Sequence, residues 1–111
     1  MSKRDHLLLI QDMAEAVEKI LRYTNNLDYN GFIENDMTVD AVIRNFEIIG
    51  EAANRIDPDF KTIQPQIEWN RIRGFRNRLV HHYFGIDHEI VWSIITEDLQ
   101  ELQFQLREIL K

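Results

Sequence analysis

The run Leu9-Ile10-Gln11-Asp12-Met13-Ala14-Glu15-Ala16-Val17-Glu18-Lys19-Ile20-Leu21 decides the fold class. At about 100° per residue, the advance of an α-helix, Leu9, Ile10, Met13, Ala14, Ala16, Val17, Ile20 and Leu21 fall in one broad arc. Asp12, Glu15, Glu18, Lys19 and Arg22 fall opposite it. A half-buried strand would alternate apolar and polar residues, and this segment does not. The spacing predicts a core-facing helix over residues 3–26. Ser2 and Asp5 open it as an aspartate version of the capping box, in which each side chain bonds the other's backbone amide.

The same period continues outward along the chain. Residues 27–37 hold the turn formers Asp28, Asn30, Gly31, Asn35 and Asp36 and read as the main connection. A second helix over 38–56 puts Val39, Val42, Ile43, Phe46, Ile49, Ala53 and Ile56 on one face, with Ile48 pointing away. Gly50 lies in that arc and reads as a point of close helix approach. Asp57-Pro58-Asp59 ends this helix, and Pro65 suits the first position of a third, over 65–84, closed by Gly85. Asp87 caps a fourth helix over 88–110. That helix turns Val91, Trp92, Ile95, Leu99, Leu102, Leu106, Ile109 and Leu110 inward, while Ile90, Ile94 and Phe104 make a thinner far-side stripe that hints at self-association. Four helices with short connections predict an all-α fold, a four-helix up-down bundle filling one domain over 1–111.

Composition agrees and removes several function classes. With four Gly and two Pro, the chain suits helices better than a turn-rich β fold. Having no cysteine, it has no disulfide, thiol nucleophile or thiolate metal site. The apolar run Leu7 to Ile10 is too short for a signal peptide core or a membrane span, so a cytoplasmic protein without a membrane partner is expected. A formal net charge of -6 argues against coating nucleic acid non-specifically; no DNA partner is expected, and any nucleic-acid chemistry has to be local.

The third helix carries residues that a core alone would not select, in the stretch Arg76-Asn77-Arg78-Leu79-Val80-His81-His82-Tyr83. Arg76 falls inside the apolar arc of Trp69, Ile72, Phe75, Leu79, Val80, Tyr83 and Phe84. A guanidinium there is costly unless it is paired, reaches a solvent-filled cleft or serves an interface. Patterning leaves two readings open: a buried Arg76 clamped by Glu47 or Glu51, or an Arg76 that floors a phosphate-binding cleft. Arg44, Glu47 and Glu51 fall within about 60° on one flank of the second helix, which also fits a surface charge ladder. Asn77 and His81, four apart, share the flank of the third helix, a position suited to a general acid or base. Arg76 and His81 are separated by about 140° on an ideal helix, and a two-fold dimer bringing two copies together would relieve this. His82, His6 and His88 read as solvated or capping.

Residues 69–86 contain Arg71, Arg73, Arg76 and Arg78 and no Asp or Glu, a local positive zone adequate for RNA or a nucleotide. Arg73 is the candidate RNA contact, whereas Arg71 and Arg78 lie on the back of the helix. No phosphate loop, His-Glu-x-x-His pair, nucleophile elbow or carboxylate cluster at metal-binding spacing is present, which leaves metal-free chemistry.

Arg76-Asn77-x-x-x-His81-x-Tyr83 resembles the Arg-x4-His-x-Tyr signature of HepT-like toxins of the HEPN superfamily. Arg44-Asn45-Phe46-Glu47-Ile48-Ile49-Gly50-Glu51-Ala52-Ala53 resembles that family's second-helix segment, and Tyr83-Phe84-Gly85-Ile86-Asp87 its third-helix exit. The resemblance covers nearly the whole chain and implies a HEPN-like bundle that dimerises through the motif helix. It further implies the toxin of a type VII-like HepT/MntA toxin-antitoxin system, a metal-independent endoribonuclease needing no cofactor. In that reading Arg76 stabilises charge on the scissile phosphate, His81 is general acid or base, and Asn77 orients. Arg44, Glu47 and Glu51 support them. The implied partners are an RNA substrate, a second copy or a higher oligomer, and a MntA-like nucleotidyltransferase antitoxin that adenylylates Tyr83. The alternatives are a non-catalytic HEPN module that holds a nucleotide or docks its partner, and a scaffold dimer in which Arg76 is a structural ion pair.

Overall fold

A computed structural model describes residues 2–81 and 85–111, with backbone alone at Arg76, Val80 and His81. Helix α1, Lys3–Thr24, begins with the expected capping box: the Asp5 amide donates to Ser2 Oγ at 3.1 Å and the Ser2 amide to Asp5 Oδ2 at 3.2 Å. Its arc is buried as the period requires, with Ile10, Met13, Val17 and Ile20 fully enclosed. The connection that follows is more ordered than its turn formers suggest. Asp28 accepts the Gly31 amide at 2.7 Å and caps a five-residue helix α2, Tyr29–Ile33, which carries Phe32 into the core against Trp92.

Helix α3, Asp36–Arg55, is capped by Asn35 and buries Val42, Phe46 and Ile49. Two expectations on this helix change. Ile48 is half-buried and packs against the core instead of pointing away, and a Cβ built on Gly50 meets no atom of the described residues within 4 Å, so no close helix approach is made there among them.

The expected third helix divides. Pro58 starts a short helix α4, Pro58–Thr62, whose Phe60 is buried, and Pro65 lies in the turns beyond it. Those turns bury Ile67 and let the Trp69 indole N–H donate to the Gln64 carbonyl at 3.1 Å, both lost if a helix started at Pro65. Helix α5, Trp69–Leu79, then stops five residues early. Val80–His81 (β1) pairs antiparallel with Gly85–Ile86 (β2), Val80 opposite Ile86 and His81 opposite Gly85. The Leu79 carbonyl accepts the Asp87 amide at 2.9 Å. Val, His, Tyr and Phe are all weak helix formers, and Val, Tyr and Phe favour strands, so the run that starts at Val80 gives local support to this exit. Gly85 supplies a φ of +83°, which a side chain would resist.

The last helix also divides, into α6, His88–Glu97, and α7, Leu99–Leu110, at Asp98. Ser93 and Thr96 hydroxyls donate back to the Ile90 and Trp92 carbonyls, a competition with the helical ladder that bends helices. The break shifts the phase of the wheel, so Ile94 is a fully buried core residue, Ile90 is half-buried and Phe104 is exposed. The far-side stripe is therefore not continuous, and the apolar pattern of this helix gives no argument for self-association.

The long helices make the expected four-helix bundle. α1 packs against α3 and α7, α3 against α5, and α6 bridges α5 and α7. His6 is not solvated: it is buried, stacked on Phe60 at 4.5 Å, with Nε2 3.3 Å from Asp57 Oδ2 but outside hydrogen-bond geometry. His88 opens α6 half-buried, and His82 lies outside the described residues. Among the described residues no helix is long and apolar enough to cross a membrane.

Candidate active site groove between α3 and α5

The packing of α3 on α5 leaves a groove of about 250 Å³ lined by Phe46, Glu47, Gly50, Glu51, Asn54, Arg73 and Asn77. Phe46 and Phe75 meet edge to face beneath it, with centroids 5.7 Å apart at 86°, an arrangement aromatic quadrupoles favour. Both rings are buried, and Phe46 gives the groove its aromatic lining. α3 supplies two exposed carboxylates to one wall, and α5 supplies the exposed Arg73 guanidinium and Asn77 amide to the other. Of the residues singled out in the sequence, Glu47, Glu51, Asn77 and Arg73 are brought together here. Arg44 stands one step outside, its guanidinium 3.5 Å from Glu47. The charge ladder and the groove wall are thus the same residues: Arg44 braces Glu47, and Glu47 faces the groove.

Arg76 has its backbone on α5, one residue before Asn77, and His81 has its backbone on β1 opposite Gly85. The side chains of both, and all of Tyr83, lie outside the described residues. One part of the sequence reading is corrected by the backbone alone. Because α5 ends at Leu79, Asn77 and His81 do not share a helix flank, and the separation of about 140° computed for Arg76 and His81 on an ideal helix does not apply.

Arg73 is held by donating to Asn70 Oδ1. Arg71 is exposed but paired: its guanidinium binds Asp98 at 2.8 and 2.9 Å, with Glu68 at 3.7 Å, on a small cavity between α5 and the α6–α7 junction. Of the four arginines in the acid-free run, Arg71 is thereby neutralised, and Arg73 and Arg78 stand exposed. Two further residues flank the start of α5, Lys61, which no motif marks, and Trp69, which the sequence offers only as part of the apolar arc. The Lys61 ammonium lies 5.7 Å above the Trp69 ring, and the two line an open cavity beside Asn70. Partial burial, and then the Arg73 guanidinium, lower Lys61 below the usual lysine value. No periodic signal marks Lys61, because α4 is a single turn and a half.

The ribonuclease HepT-like family matches residues 13–109 of the chain. A protein of Methanocaldococcus jannaschii named "Putative RNase MJ1380" is 43% identical over 103 residues, covering 93% of this chain and 94% of its own. A Thermococcus cleftensis protein named "Probable ribonuclease HepT" is 38% identical over 109 residues, covering 98% and 99%. No solved structure matches. The family match spans both helices that wall the groove, the β1–β2 exit and most of the bundle. The chain belongs to the HepT-like ribonuclease family.

Proposed function

We propose that the chain is a metal-independent endoribonuclease, the toxin of a HepT/MntA-type pair, working at the groove between α3 and α5. The observation that carries this reading is the convergence of Glu47, Glu51, Arg73 and Asn77 on one groove at the helix that also bears Arg76 and leads into His81. The RNA 2′-oxygen attacks the adjacent phosphorus, the bond to the 5′-oxygen breaks, and a 2′,3′-cyclic phosphate forms. His81 takes the 2′-hydroxyl proton or supplies one to the departing 5′-oxygen. Arg76 offsets the charge that builds on the phosphorane oxygens, and Asn77 orients the phosphate. Acid–base help of this kind gives about 10² to 10⁴-fold, and preorganised charge a comparable factor.

The partner in this reading is a nucleotidyltransferase that moves an adenylyl group from ATP to the Tyr83 phenol oxygen, with pyrophosphate leaving. A bulky anion on Tyr83 would repel the RNA backbone and close the site. A homodimer belongs to the same proposal, supported by the open space over Gly50 on the groove wall, where a second copy can come close.

The test is RNA cleavage by purified protein in EDTA. Wild type cleaves, and Arg76→Ala and His81→Ala each lose at least about 10²-fold. A tight nucleotide complex with no turnover would replace this reading with the binding-module one. Growth arrest on expression, relieved by the partner with an adenylyl mass gain on the Tyr83 peptide, tests the toxin role.

A further inference from the structure

Lys61 and Arg73 are cations on different elements, α4 and α5, and each is close enough to feel the other. Neither has a carboxylate within ion-pair distance among the described residues, whereas nearby Glu68 is engaged by Arg71. Lys61 is partly buried and Arg73 is exposed, and two cations that share a neighbourhood favour an anion between them. Asn70 ties the pair to both cavities: it lines the one beside Lys61 and Trp69, and it fixes Arg73, which lines the α3–α5 groove. Trp69 is anchored through its indole N–H to Gln64 and packs against the core, so its ring is a fixed platform. A cation beside a partly exposed aromatic ring is the combination that single strands use, the cation for the backbone and the ring for a base.

We propose that Lys61, Trp69 and Arg73 form a subsite for single-stranded RNA adjoining the groove, in which the two cations hold a backbone phosphate and the indole carries the neighbouring base. The subsite rests on the reading of the groove as a ribonuclease site and names how its substrate strand is led in. Arg73, at the junction, passes the strand from Trp69 toward Asn77. Lys61 leaves the ring face when it engages the phosphate, and the base takes its place. Because phosphates and ring faces are common to all nucleotides, the subsite selects single strands over duplexes and not one sequence over another.

Binding of an oligonucleotide of about 12 residues carrying 2′-O-methyl groups, which cannot be cleaved by 2′-oxygen attack, tests the subsite separately from catalysis. Lys61→Gln is expected to weaken affinity about three- to tenfold and to reduce the salt slope by about 0.7, the share of one single-strand phosphate contact. Lys61→Arg restores most of the affinity, and Lys19→Gln, on the back of α1, leaves it unchanged. In a Trp92→Phe background, Trp69 emission is quenched on binding. Wild-type affinity and salt slope in Lys61→Gln would overturn the proposal even if RNA is cleaved normally. Lys61-dependent binding without cleavage of unmodified RNA would leave the subsite standing and remove the ribonuclease reading, and no binding at all would overturn the subsite while cleavage of unmodified RNA decides the ribonuclease reading.

Discussion

Asp98 accepts with both carboxylate oxygens from the single Arg71 nitrogen Nη2 and stands at the junction of α6 and α7, so one side chain ties the break in the last helix to α5. Arg71 remains nearly half exposed, and water can replace part of what it gives. Asp98→Asn is accordingly expected to cost only about 1 kcal/mol in thermal or urea unfolding, less at high salt. Ser2→Ala, which removes the cap of α1, costs about 1 kcal/mol by the same measurement. Hydrogen bonds from Ser2, backbone first and then side chain, hold the Asp5 carboxyl below its ordinary 3.8. Its contribution is complete above that value and is lost as pH falls through the lower folded value, so wild type and Asp5→Asn converge in stability only under strong acid. His6 was legible and was missed: it stands four residues before Ile10 and seven before Met13, on the buried arc of α1. What the period could not supply was its neighbour, because Phe60 reaches it only through the fold of the Asp57–Pro58 turn.

Element boundaries are where sequence and structure part. The period located the cores of α1, α3 and α5 because each buries one face over several turns, whereas α2 and α4 are too short to show a period. Helix three was carried past Leu79 because Val80, Tyr83 and Phe84 continue its apolar spacing, and that spacing could not show that the chain turns extended at Val80. The same error produced a dimer argument from an angle that does not exist in the fold. Gly85 marks the exit, and Gly85→Ala is expected to destabilise by about 1 to 2 kcal/mol, since its φ is left-handed. Gly50→Ala should do the opposite. With nothing near its Cβ and a helical backbone, it is expected to stabilise the isolated chain by about 0.5 to 1 kcal/mol in urea unfolding. A Gly50→Ala protein that is more stable as a monomer yet fails to self-associate would place a second copy on that wall.

For the molecule as a whole, the all-α bundle was legible because its apolar residues recur at the helical period throughout, and the family match follows the same span. The site was legible in part. Glu47, Glu51, Asn77 and Arg73 line one groove, since α3 packs on α5, a pairing of helices that the period alone does not give. Lys61 and Trp69 were not, because their meeting depends on α4 folding back beside α5. In the proposed function this groove cuts RNA using the substrate's own 2′-hydroxyl. The most direct measurement is the chemistry of the ends left on an oligoribonucleotide treated with the purified protein in EDTA, with and without a single 2′-deoxy residue at the cut. A 2′,3′-cyclic phosphate and a 5′-hydroxyl, with cleavage abolished by the 2′-deoxy residue, are predicted. A 5′-phosphate and a 3′-hydroxyl, or cleavage that survives the 2′-deoxy substitution, would contradict it.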